Sequence, residues 1–135
     1  MPKLVVIADN VREVREALRA TIEQLYEAEM ARGELRVDTF EDGSGVVAQC
    51  ALALPDLVIL DVDMPGLDGI ETFYCIREIS RVAANRVVFL TGYAGSEEIR
   101  ARVDRAVADG ACGCLPKPAS AADIKSLLDA RLFAA

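Results

Sequence analysis

Short apolar runs alternate along the chain with longer stretches in which apolar residues recur every three or four positions, and the alternation repeats five times. Apolar runs of strand length between stretches of helical period are the pattern of parallel strands joined by crossover helices. Leu4 to Ala8 reads as the first strand, and Val14, Leu18, Ile22 and Leu25 mark a helix from about Val11 to Arg32, ended by Gly33. A helix of about 22 residues spans about 33 Å, so its end, with Tyr26, Glu27, Glu29 and Met30, is expected to overhang the sheet as a solvated extension or a docking surface. Leu35 to Phe40 is the second strand, Glu41-Asp42-Gly43 a turn, Ser44 an N-cap, and Val47 to Leu54 a short helix stopped by Pro55. Leu57 to Asp61 is the third strand, followed past the turn residues Pro65, Gly66, Asp68 and Gly69 by a helix whose apolar face is Ile70, Phe73, Ile76 and Ile79. Arg86 to Thr91 is the fourth strand. Gly95-Ser96 with Glu97 and Glu98 then opens a helix that runs through Ile99, Val103 and Val107 to Gly110. Ala111 to Leu115 is the fifth strand, Pro116-Lys117-Pro118 breaks it, and Ser120 opens a last helix with Ile124, Leu127, Leu128 and Leu132 facing inward.

At 135 residues the chain fits a single domain, taken here as residues 1–135, with no repeat or linker. Fifteen basic residues against 22 acidic ones, the basic ones scattered, disfavour direct nucleic-acid binding. The chain has no histidine, which removes histidine triads, Cys/His zinc sites and any histidine phosphocarrier role. No apolar run approaches the roughly 18 residues of a membrane span, and the start Met-Pro-Lys-Leu carries no signal-peptide pattern, so a soluble cytoplasmic protein is expected. Cys50, Cys75, Cys112 and Cys114 lie irregularly in apolar segments and read as reduced core thiols, with Cys112 and Cys114 a weak candidate for half a metal site.

Ligands of an open parallel sheet bind beyond the carboxyl ends of its strands. Those ends are Asp9, Asp61, Thr91 and Lys117. Two neighbouring carboxylates repel, a conflict that a hard divalent cation such as Mg2+ relieves. Asp61 is then a carboxylate nucleophile toward a phosphoryl donor, with the metal and the Lys117 ammonium offsetting charge on the phosphoryl oxygens and the Thr91 hydroxyl donating to another.

The run Leu57-Val58-Ile59-Leu60-Asp61-Val62-Asp63-Met64-Pro65-Gly66-Leu67-Asp68-Gly69 closely resembles the phosphoacceptor region of response regulator receiver domains, the chemotaxis-regulator type included. Leu4 to Asn10 resembles that family's first strand and acidic pocket, Phe89-Leu90-Thr91-Gly92 its hydroxyl segment, and Ala108 to Pro118 its strand ending in Lys-Pro. The resemblance implies a flavodoxin-like (βα)5 fold with strand order 2-1-3-4-5, two helices on one face and three on the other. It implies phosphorylation of Asp61 by a histidine kinase or phosphotransfer protein, with Asp9, Asp61 and the backbone carbonyl of Asp63 binding Mg2+. On that reading Thr91 moves inward once Asp61 is phosphorylated, the surface around the fourth and fifth strands and the helices after them changes shape for a downstream target, and the protein is not a turnover enzyme. Both monomers and homodimers are compatible with it, and the Lys117–Pro118 peptide is expected cis.

The chain departs from the pattern at three positions. Ala8 stands where a second acid is usual, which implies weaker Mg2+ binding; Cys114 stands at a position often held by a switching Tyr or Phe; and Ala119 replaces a bulkier residue. Asp63 and Tyr93, each two residues past a site residue, are expected to tune the lifetime of the phosphoryl group. Two rival readings use the same residues. One is a receiver-like interaction module that works without phosphorylation. The other is a haloacid dehalogenase-like phosphatase built on Asp61-Val62-Asp63, for which this short chain lacks a cap and further acidic ligands.

Overall fold

The computed structural model describes residues 1–92 and 96–133. Its strands are β1 (Lys3–Ala8), β2 (Leu35–Phe40), β3 (Leu57–Asp61), β4 (Val87–Thr91) and β5 (Gly113–Pro116), paired in parallel in the order β2-β1-β3-β4-β5. Strand side chains alternate between faces, and two apolar layers result. Val5, Ile7, Leu57, Ile59, Val88 and Leu90 face α1 (Arg12–Leu25), α2 (Glu27–Ala31) and α7 (Ala121–Arg131). Val6, Ala8, Val58, Leu60, Val87 and Phe89 face α3 (Gly43–Leu52), α4 (Gly69–Ile79), α5 (Arg81–Ala84) and α6 (Glu97–Ala108). The central strand β3 is buried along its whole length, Asp61 included.

Short polar side chains set where the helices begin. Asp42, not Ser44, caps α3 by accepting from Gly45 N at 3.0 Å, so that helix starts at Gly43 and stops at Leu52. Asp68 and Glu71 form a capping box on α4, as do Ser120 and Asp123 on α7, while Ser96 caps α6; a cap of this kind contributes about 1 kcal/mol. The sequence pattern misses α5, which Ser80 caps through Ala83 N. Ile79, expected on the apolar face of its helix, is exposed at the end of α4, while Ile70, Phe73 and Ile76 are buried as expected. The fifth strand starts later than expected, at Gly113, and its Cys114 is exposed. Gly95 and Tyr93 lie outside the described residues.

The first helix is not continuous. It breaks at Tyr26 (φ −120°, ψ 38°), and α2 turns back so that Met30 packs on the α1/α7 layer rather than overhanging it. Tyr26 is buried, its hydroxyl donates to Asp129 Oδ1 at 2.7 Å and approaches the Lys125 carbonyl at 3.1 Å, and its ring stacks on Phe133. Burial first, then the Asp129 carboxylate, push the phenol well above its usual pKa, so it stays a donor. Tyr26→Phe keeps the packing and removes one bond to a charged acceptor, so it is expected to cost about 1.5–3 kcal/mol. Urea unfolding checks this: the midpoint should fall with an unchanged slope, and an unchanged midpoint would deny the hydroxyl its structural role.

Candidate functional site

In the register of β1 against β3, Ala8 pairs with Leu60, so the next residue of each strand, Asp9 and Asp61, emerges beside the other. Asp9 is 0% and Asp61 2% exposed. Asp9 Oδ1 accepts from Val11 N at 2.9 Å, and Asp61 Oδ1 accepts from Asp63 N at 3.2 Å, so each carboxylate is oriented by the backbone just past its strand. Lys117 follows β5, its own N–H bonded to the Thr91 carbonyl at 3.0 Å and its peptide to Pro118 cis. From there its ammonium lies 2.8 Å from Asp9 Oδ2 and 3.2 Å from Asp61 Oδ2. Thr91 ends β4 at the same edge: Asp61 pairs with Leu90, the residue before it.

Burial, then the Asp9 charge, raise the Asp61 pKa against the opposing Lys117. For Lys117, burial pulls downward, but the contact with Asp9 and the two carboxylate charges outweigh it, so the ammonium is held charged. One ammonium against two ionised carboxylates leaves an uncompensated negative charge in a dry place, where a cation gains most. Asp9 Oδ2 is buried, and its partner among the described residues is the Lys117 ammonium, held as an ion pair at 2.8 Å.

Asn10 is the site residue that the sequence pattern did not single out. Its amide lies 3.2 Å from Asp61 Oδ2 and 3.0 Å from the Asp63 carbonyl oxygen, with the nitrogen facing both, since the reversed placement would set oxygen against oxygen. One small group therefore touches both oxygens, which places the Asp63 carbonyl and the Asp61 carboxylate around a common point. Among the described residues no three His, Cys, Asp or Glu side chains converge as a metal cluster. The oxygen set that fits a hard cation is thus two carboxylates plus this carbonyl.

Packing behind the site is close. A Cβ on Gly69 would overlap the Asp61 carbonyl oxygen, so only glycine lets the start of α4 rest on the end of β3. Asp68, which caps α4 through Oδ1, also receives Arg102 from α6 on Oδ2 at 2.8 Å, a strut between these helices that local sequence does not announce. Ala8 belongs to the apolar layer facing α3 and α4. Ala119, with Ala17, Val14 and Leu18, leaves a groove of about 250 Å³ between α1 and the Lys117–Pro118 turn. Cys112 packs on the α1/α7 layer, while Cys114 lines a second groove of about 250 Å³ with Thr91, Ile99 and Val103, so the paired-cysteine metal idea finds its two thiols on opposite sides of the sheet.

The model of the response regulator receiver domain family matches residues 5–129. The chain is 32% identical over 118 residues to the chemotaxis protein CheY of Halobacterium salinarum, covering 87% of each chain. It is 39% identical over 84 residues to the transcriptional activator ExaE of Pseudomonas putida, covering 61% of this chain and 36% of that protein. It matches 41% of the length of the Arabidopsis thaliana regulator ARR5 and 20% of NtrC from Salmonella typhimurium, so the chain spans well under half of several curated relatives. Among solved structures, Vibrio cholerae CheY4 superposes with a TM-score of 0.78 at 24% identity, over 98% of this chain and all of that one. The receiver domain of the Pseudomonas aeruginosa sensor kinase PA1611, described with magnesium coordinated in its active-site cleft, also superposes at 0.78, with 18% identity over 99% of this chain and 100% of that one.

The raised Asp61 pKa has a consequence for stability. A carboxyl whose pKa is raised by folding favours the folded state while protonated, and that benefit is lost as pH rises through its folded value. With chelator present at neutral pH, Asp61→Asn is expected to melt a few degrees above the wild type, and the gap should close as acid returns the proton to Asp61. Melting curves across pH check this; a variant less stable at every pH would contradict it.

Proposed function

This chain belongs to the response regulator receiver domain family, and we propose that Asp61 is its phosphoacceptor, taking a phosphoryl group from the phosphohistidine of a histidine kinase or phosphotransfer protein in the cytoplasm. The observation that carries this reading is the meeting of Asp9, Asp61 and Lys117 within 2.8–3.2 Å at one buried point. The carboxylate oxygens of Asp9 and Asp61 and the carbonyl of Asp63 would hold Mg2+, which when bound supplies positive charge for the phosphoryl oxygens.

The chain's own groups do the rest. A carboxylate oxygen of Asp61 attacks phosphorus, the bond from phosphorus to the donor's nitrogen breaks, and the imidazole leaves with the electron pair, giving an aspartyl phosphate. Lys117, already charged, turns from the carboxylates toward the new phosphoryl oxygens, where it offsets charge that the ground state lacks. Asp63 N–H, bonded to Asp61 Oδ1, orients the nucleophile. Hydrolysis of the acyl phosphate resets the site, and Asp63 and Tyr93 tune its rate.

Thr91 links this chemistry to a surface. It stands between the site and the groove beside Ile99, Val103 and Cys114, so drawing its hydroxyl toward a phosphoryl group reshapes that groove. With Cys114 in the groove, the change is read through space vacated or filled there rather than through an aromatic rotamer. The partner is a downstream protein or output domain; the role is that of a switch, not a turnover enzyme.

Incubation with Mg2+ and acetyl phosphate followed by intact-mass spectrometry tests the acceptor. One phosphoryl adduct is expected on the wild type, none on Asp61→Asn, and a much reduced yield on Asp9→Asn. An adduct that survives in Asp61→Asn, or its absence from the wild type beside a labelled receiver control, would overturn the assignment.

A further inference from the structure

The Asn10 side chain lies against the buried Asp61 carboxylate and the Asp63 carbonyl, and Asn10 itself is exposed. Its backbone has little freedom: the preceding residue is held by Val11 N on Asp9 Oδ1 at 2.9 Å, and the Asp9 carbonyl accepts from Arg15 Nη1 at 2.7 Å. Only the side-chain torsions remain to move the amide. Its nitrogen contacts Asp61 Oδ2 at 3.2 Å and the Asp63 carbonyl at 3.0 Å, and these are two of the three oxygens that fit a hard cation.

We propose that the Asn10 amide is a latch on the divalent-cation site, closed by its N–H groups across Asp61 and the Asp63 carbonyl and opened by rotation of the side chain when the cation binds. The inference rests on the reading of those oxygens, with Asp9, as cation ligands. An amide proton carries partial positive charge and takes up the same lone pairs that a cation needs, so the two compete. The latch spans two loops, the one after β1 and the one after β3, so opening it gives up contacts that support the metal-free fold. Asn10 thereby sets metal affinity without being a catalytic residue, and it does so in a pocket whose usual second acid is Ala8.

Competition and simple structural support differ in sign. Calorimetric titration of Mg2+ into chelator-stripped wild type, Asn10→Ala and Asp9→Asn separates them, with melting temperatures taken with and without saturating Mg2+. Removing two competing hydrogen bonds is expected to tighten Mg2+ binding about three- to tenfold in Asn10→Ala. The same variant should melt lower than wild type without metal and level with it at saturation. Equal or weaker Mg2+ binding by Asn10→Ala, while Asp9→Asn loses it, overturns the latch and leaves the metal reading standing. No binding by wild type and Asn10→Ala alike overturns the metal reading and the latch with it. A melting deficit that persists unchanged at saturating Mg2+ marks Asn10 as structural support only.

Discussion

Two carboxylates leave neighbouring parallel strands side by side, and one ammonium lies between them; everything else at this end of the molecule follows from that enforced repulsion. The register of β1 on β3 makes the contact unavoidable, and burial raises its cost, as the upward pull on the Asp61 pKa shows. Lys117 relieves part of it and is itself kept charged by doing so. A site built in this way is receptive to added positive charge.

The surrounding fold serves this edge. Both apolar layers clamp β3, so Asp61 stands on a strand buried along its whole length. Gly69 lets α4 close against the strand's end, and Asp68 joins the cap of α4 to Arg102 on α6. A change at Asp61 is thus adjacent to a packed path toward α6, and Thr91 offers a second path through β4. The α1/α7 side is locked separately by Tyr26, Asp129 and Phe133, at a distance from these paths in the fold.

The gathering of Asp9, Asp61 and Lys117 at one edge was legible from local pattern, apolar runs closed by polar residues in a parallel sheet that gathers its strand ends, whereas the strand order was legible only through the resemblance of the motifs at those ends to a known family. What escaped depends on distant partners. Helical spacing continues smoothly through Tyr26, and the break there answers to Asp129, 103 residues away. Four residues of α5 are too few to show a period. Cys114 looks like a core thiol until the edge position of β5 exposes it. Asn10 carries no charge and reads as a strand-end residue until its amide is seen against Asp61 and the Asp63 carbonyl. An amide directly following a strand-end acid is the signal that would have marked it.

Conversion of the Asp61 carboxylate to an acyl phosphate, which brings the phosphoryl group's own negative charge to the sheet edge, is the step on which the proposed role depends. The most direct measurement is the backbone amide NMR spectrum of the chain with Mg2+ before and after beryllofluoride, which bonds to an acceptor carboxylate in place of a phosphoryl group. Shifts are expected at Asp61 to Asp63, Thr91, Gly92 and Lys117, continuing to Ile99, Val103 and Cys114 along the groove, all absent in Asp61→Asn. A spectrum that beryllofluoride leaves unchanged, or one that changes equally in Asp61→Asn, would contradict it.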